Sequence, residues 1–341
     1  MVHRWGVPVI LEVVKMSVQE CFICDECDEH SEPGNEITVQ TRYGNREYCE
    51  GCVSYSAWEC EGCNVLFADS MESNETESGL SVCNDCYIEY EDERLVKPHD
   101  YEPVDGWQMR GVGSVGYGIE LEMDTRHGRE TAVQYISETI PSDVAIMKED
   151  GSLSSAGIEL VSHPMTFELW NESKEQWGAW LAGIALSGME SWTQPQCGLH
   201  VHMTRAGMSA SHQVRFGLLF NRNSLDWQSV ARRSSSFANF NVGETVTKVK
   251  VRYSANHFDA VNFSNNKTIE VRIFRPSLQF GRVLGSVALV HFAREYTANM
   301  TAHDVLRGAL EWPRFTAWVD AHGHSEASIL LRGGSFGLVA G

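Results

Sequence analysis

The sequence predicts an α+β protein in two parts, a small metal-built domain over residues 1–105 and a larger domain over 106–341. Three observations lead there. Nine of the ten cysteines lie before residue 90. Beyond them, four short stretches alternate apolar and polar residues with the two-residue period of a strand, and helical stretches separate them. The net charge of −19 is also lopsided: 24 acidic and 6 basic residues in 1–105 leave −18, and 22 acidic and 21 basic residues in 106–341 leave −1. A chain of 341 residues suits two domains, and 43% hydrophobic residues can fill a sizeable core.

The acidity excludes a phosphate-backbone partner for the first domain, since nucleic acid calls for the opposite sign. No apolar run approaches the ~20 residues of a membrane span. The apolar start at residues 7–11 is short and runs into Glu12 and Lys15, unlike a secretory signal. The expected location is the cytoplasm, with no nucleic-acid or membrane partner.

Eight cysteines form four Cys-x-x-Cys pairs: Cys21/Cys24, Cys49/Cys52, Cys60/Cys63 and Cys83/Cys86. A two-residue gap lets both thiolates face one ion, and Zn²⁺ takes four such ligands in a tetrahedron. Four pairs therefore predict two structural Zn²⁺ sites. The identical pairing argues against a disulfide framework. A sequential arrangement joins Cys21/Cys24 with Cys49/Cys52 and Cys60/Cys63 with Cys83/Cys86. It is favoured over a cross-brace because seven residues separate Cys52 from Cys60. Each half then reads as a knuckle, a hairpin and a second knuckle opening a short helix, the last over 87–95. Cys27 is surplus, with Cys24/Cys27 as an alternative knuckle. His30 reads as a surface residue. The acidic, serine-rich loop 69–79 is expected to be mobile, and 91–113, rich in proline and glycine, reads as the interdomain linker. The module is expected to recruit a protein or peptide partner.

In the larger domain, 116–124 alternates Ile119, Leu121 and Met123 against Glu120, Glu122 and Asp124. Alone, this is the pattern of a surface strand with a solvated acidic face. A helix is expected over 129–139, a strand over 144–148, and a turn at Asp150-Gly151. The next strand, 157–161, carries Glu159 among apolar residues, and such a carboxylate is either exposed or paired. Residues 166–186 form a helical pattern whose Phe167, Trp170, Trp177, Trp180 and Leu181 belong in the core. On 197–203, His200 and His202 share a strand face, a weak metal signal by itself. Cys197 beside them reads as a buried apolar residue. A helix is expected over 211–225. The loop 232–251 brings Arg232, Arg233, Lys248, Lys250 and, just beyond, Arg252, which could meet an anionic substrate or simply water. On 268–275, Glu270 and Arg272 face away from Ile269, Val271 and Ile273. Helical stretches follow over 280–300 and 305–319, then a loose tail over 333–341.

Four motifs in order, Gly118-Ile-Glu-Leu-Glu122, Asp150-Gly-Ser-Leu153 with Gly157-Ile-Glu-Leu-Val161, Gly198-Leu-His-Val-His-Met203 and Ile269-Glu-Val-Arg-Ile-Phe274, resemble those of carboxylate-amine ligases with a glutamine-synthetase-like fold, most closely the amidoligase branch. The resemblance spans roughly 113–300 and leaves out the cysteine-rich part. It implies a curved antiparallel sheet with helices behind it and a cradle for ATP and Mg²⁺ (or Mn²⁺). By similarity, Glu120, His200 and Glu270 would hold the ion on the transferred phosphate. Glu122 and Glu159 would hold the ion nearer the substrate carboxylate, and His202 and Arg272 would meet the ATP phosphates. Arg205, Arg252 and Arg275 are further candidates for phosphate or carboxylate. One departure is a missing glutamate at the substrate-side ion, for which Glu149 or Asp150 could stand in. The implied activity is ATP-dependent amide formation from a carboxylate and an amine, through an acyl phosphate, with a peptide or protein among the candidate substrates. A non-catalytic adaptor and a metal-dependent hydrolase working through His200, His202 and the glutamates are the rivals.

Overall fold

The computed structural model describes residues 22–32, 34–76, 78–125, 128–194, 196–233, 236, 238–241, 245, 249 and 258–333. The chain divides into two compact units, Met1–Glu93 and Arg94–Gly341. The division comes ahead of the 105/106 boundary expected from composition. Val96–Lys97, expected in the linker, is an edge strand of the second unit's sheet.

The first unit has two small hairpin pairs and one four-stranded sheet. Strands β1 (Phe22–Ile23) and β2 (His30–Ser31) pair, as do β7 (Asn74–Glu75) and β8 (Ser81–Val82). Between them, β3 (Ile37–Thr41), β4 (Gly44–Tyr48), β5 (Ala57–Glu59) and β6 (Leu66–Ala68) lie in the order β4-β3-β6-β5. The loop expected to be mobile at 69–79 thus contributes a paired strand. Helices α1 (Glu50–Ser56) and α2 (Asn84–Glu93) each follow directly on a cysteine, Cys49 and Cys83. The apolar content is thin. One core is Cys24, Val39, Tyr48 and Ala68, the other Cys60, Phe67, Val82 and Cys83. Cores this small do not offset the entropy of ordering the chain without further cross-linking.

The second unit is built on a seven-stranded sheet. Its strands are β9 (Val96–Lys97), β10 (Tyr117–Met123), β11 (Ala145–Lys148), β12 (Ile158–Ser162), β13 (Leu199–Thr204), β14 (Val261–Asn262) and β15 (Thr268–Phe274), in the order β14-β15-β13-β10-β12-β11-β9. All pairs are antiparallel except β9 with β11. The helices are α3 (Arg129–Thr139), α4 (Phe167–Glu172), α5 (Lys174–Leu186), α6 (Ala210–Arg222), α7 (Ser224–Ala231), α8 (Phe280–Ala298), α9 (Ala302–Leu306), α10 (Trp312–Ala321) and α11 (Ser325–Leu331). Three expected helical stretches are interrupted, at Ser173, at Asn223 and between Leu306 and Trp312.

Alternation along the strands decides which side is dry. Ile119, Leu121, Met123, Leu199, Val201, Met203, Ile269, Val271 and Ile273 are all buried in one core with Trp170, Trp177, Phe216 and Leu289 from the helices. The apolar stripe of 166–186 is in this core, and the Trp170 indole donates to the Tyr117 carbonyl at 2.8 Å, tying α4 to the central strand. The charged residues of the same strands therefore share the opposite face. Among the described residues, no helix is long and apolar enough to cross a membrane.

Candidate active site and metal centres

The cysteines gather into two sets of four. Cys60, Cys63, Cys83 and Cys86 form one, as the sequential reading expects. The other is Cys24, Cys27, Cys49 and Cys52. Cys27 takes the place given to Cys21, which lies outside the described residues, so the Cys24/Cys27 alternative supplies the first knuckle. The two sets repeat one design. The amide of Asp28 donates to the Cys24 carbonyl and that of Asn64 to the Cys60 carbonyl, and both residues adopt left-handed backbone, φ 58° and 56°. The amide of Cys49 donates to Cys24 Sγ and that of Cys83 to Cys60 Sγ, each at 3.2 Å. Burial would raise the Cys24 and Cys60 thiols, but these and neighbouring backbone amides outweigh it and lower both to about 6. Each set can hold a zinc ion.

On the charged face of the larger sheet, cross-strand register brings the carboxylates and histidines together. Glu120 is opposite His200, Glu122 opposite Glu159, and His202 opposite Glu270. His200 is at the centre. Its Nδ1 is 3.0 Å from Glu120 Oε2 and 3.5 Å from Glu270 Oε1, and its Nε2 is 3.4 Å from Glu122 Oε1. Two triads result, Glu120/His200/Glu270 and Glu122/Glu159/His200, each with ligand atoms within 4.8 Å of one another. His202 Nε2 is 2.9 Å from Glu120 Oε1, and Arg272 pairs with Glu270. Buried His200 Nε2 makes no hydrogen bond. Carboxylate oxygens with one imidazole are a donor set for Mg²⁺ or Mn²⁺ rather than for a structural zinc.

The charges push against one another. Burial, then the charges of Glu120, Glu122 and Asp150, drive the Glu159 carboxyl well above the usual range, with Lys148 opposing. Glu120 goes the other way: burial would raise it, but His202 and His200 hold it well below the usual range. His202 is lowered by burial yet raised to about 9 on balance by Glu120 and Glu270.

Three further groups support these side chains, and of them Asn262 carried no sequence signal. Asn262 Nδ2 donates to Glu270 Oε2 at 3.0 Å, and the Gly198 amide donates to Glu122 Oε2. Asp124, at the end of β10, accepts from Ser154 Oγ at 2.7 Å and Gln196 Nε2 at 2.9 Å, so it anchors two loops beside the cradle. Short strands such as β14 have too few residues to show a period, which is why Asn262 escapes a reading by alternation.

Other expected residues turn elsewhere. Arg205 is buried and donates to Gln213 Oε1 and to the carbonyls of Phe263 and Asn265, a loop-holding role rather than a phosphate contact. Arg275 donates to the Trp192 carbonyl and lies 4.2 Å from the Trp192 ring centre, again not free for a nucleotide. Glu149 pairs with Arg129 at 3.3 Å, and Asp150 caps its own turn at the Ser152 amide, so neither joins the group around Glu122 and Glu159. His200 completes that group instead. Arg232 donates to the Gly333 carbonyl. Lys248, Lys250 and Arg252, and the tail beyond residue 333, lie outside the described residues.

No protein-family model matches the chain, and no curated protein matches it. Among solved structures, a GmaS/ADP complex in its first conformation is similar at 11% identity and a TM-score of 0.34, over 64% of this chain and 67% of the other.

Proposed function

We propose that the second unit is an ATP-dependent carboxylate-amine ligase that forms an amide through an acyl phosphate and releases ADP and phosphate. The observation that carries this is the placement of His200 between two carboxylate pairs on one sheet face, within reach of His202 and Arg272. Two adjacent triads of oxygen-rich ligands fit a pair of divalent ions, which when bound would neutralise charge on the transferred phosphoryl group.

Glu120 and Glu270 would hold the phosphate-side ion and Glu122 and Glu159 the substrate-side ion, with His200 able to give its one lone pair to either. Asn262 and the Gly198 amide fix the rotamers of Glu270 and Glu122. Arg272 would present positive charge to the ATP phosphates, with His202 beside it as a further hydrogen-bond donor. Burial and the charges of Glu120 and Glu122 favour the protonated form of Glu159, and a bound cation would favour the carboxylate. In the first unit, the two four-cysteine sets hold Zn²⁺ and the folded module recruits a protein or peptide partner. Its charge of −18 over residues 1–105 disfavours nucleic acid.

The test is Mg²⁺-dependent release of ADP and phosphate with a panel of carboxylates and amines, in the wild type and Glu270→Ala. Amide formation coupled to ADP, abolished in the variant, is expected. Release of AMP would sink the acyl-phosphate route, and hydrolysis without ATP would favour the hydrolase reading. Partner capture by the full chain, compared before and after zinc removal, tests the module.

A further inference from the structure

Arg233 follows α7 and is 7% exposed, yet its Nε makes no hydrogen bond. A buried guanidinium with an unused donor is costly unless an anion completes it. Its surroundings place it at the cradle. Arg233 Nη1 donates to the Arg272 carbonyl at 3.0 Å. Its guanidinium lies so close over Gly198 that a Cβ there would fall 2.2 Å from Nη1 and 2.7 Å from the central carbon. Gly198 is the residue whose amide holds Glu122, two positions before His200. Arg272, next to it, also has a buried Nε without a hydrogen bond. The Arg233 guanidinium therefore reaches the backbone of Arg272 and the strand of Gly198, Arg272 itself pairs with Glu270, and each arginine keeps a buried Nε without a hydrogen bond.

We propose that Arg233 and Arg272 form an oxyanion clamp at the edge of the cradle, with Gly198 left bare so that the Arg233 guanidinium can lie flat against the strand. The ligand class is a phosphoryl group held jointly by the clamp and a divalent ion. The inference rests on the cradle reading and adds a donor from outside the four strand motifs. Each arginine fork can donate to two oxygens of such a group at once, which the point charge of a lysine cannot.

The test uses the full chain with zinc retained, Mn²⁺ as the cation and inorganic phosphate as the probe. Mn²⁺ binding is read by electron paramagnetic resonance, phosphate binding to the Mn²⁺-loaded protein by calorimetry, and folding by circular dichroism. Arg233→Gln is expected to weaken phosphate on the order of tenfold or more while Mn²⁺ affinity stays within about threefold. Arg233→Lys should recover only part of the loss. If Arg233→Gln fails to fold, Arg233→Lys carries the reading, because it keeps the buried charge and removes the fork, and phosphate is then expected to weaken by a smaller factor with Mn²⁺ affinity unchanged. Phosphate affinity equal to wild type in the folded variants overturns the clamp alone. Absence of Mn²⁺ binding in the wild type overturns the cradle and the clamp with it.

Discussion

The cysteine sets and the carboxylate cradle both gather metal-ligating side chains, but they relate to their surroundings in opposite ways. In the first unit the cysteines are the core: Cys24, Cys60 and Cys83 are among its few buried residues, and backbone amides favour the thiolates of Cys24 and Cys60. In the second unit the core lies on the other side of the sheet and is large, with Trp170, Trp177 and Trp227 wholly enclosed. The cradle adds nothing to it and presses buried carboxylates together instead. One site should hold its fold together, and the other should be held by its fold at some cost.

The largest effect that could break this contrast is zinc removal. Structural zinc in small domains is worth roughly 10–16 kcal/mol, so chelation is expected to unfold the first unit. Hydrogen exchange should then lose protection across 37–48 while 117–123 and 199–204 stay protected. Retained protection in the first unit would show that its apolar cores suffice.

Next in size is the choice of ligand. Cys27→Ser should lower the zinc content from two per chain to one, and Cys21→Ser should leave it at two, as measured by metal analysis. The reverse result would return Cys21 to the site.

Glu159→Gln sharpens the comparison from the other side. Removing a carboxylate that burial and neighbouring charges destabilise should raise the melting temperature of the cation-free protein by a few degrees. The same change should weaken Mn²⁺ binding about 100-fold, so gain and loss fall on different readouts. A lowered melting temperature would mean that Glu159 stabilises the fold.

The pH dependence is smaller. Glu159 holds its proton well above the ordinary carboxyl value of 4.5, whereas the unfolded chain releases it there. The stability linked to this group is whole below that value and is lost as pH rises toward the folded-state value. Cation binding expels the same proton. Mn²⁺ affinity should therefore rise with pH, by at most about tenfold per unit, until Glu159 ionises unaided, and a titration across pH 5–8 checks the slope. Smallest of all, Asn262→Ala should cost about tenfold in Mn²⁺ affinity by freeing the Glu270 rotamer, with little change in melting temperature.

Much of the cradle is legible in the chain because antiparallel pairing turns alternation into location. Once Ile119, Leu121, Val201 and Val271 are recognised as core-facing, Glu120, Glu122, His200 and Glu270 have only one face left to share. The arginines are less legible. Arg205 and Arg275 look like free cations beside strand motifs, yet carbonyls and a tryptophan ring use up their donors, and no local pattern announces that. The reading of 91–113 as linker fails at Val96–Lys97 for a related reason, since two residues cannot show a strand's period. Cys27 could have been found from spacing: 21 residues separate Cys27 from Cys49 and 19 separate Cys63 from Cys83, a closer match than a first knuckle at Cys21/Cys24 allows.

His200 faces one triad with each ring nitrogen, and a neutral imidazole has a single lone pair, the other nitrogen carrying hydrogen. When Nδ1 serves Glu120 and Glu270, Nε2 turns a proton toward Glu122, and the reverse holds for the other tautomer. The two triads are thus not independent receptacles. They share one electron pair, and filling the first sets the terms on which the second can be filled.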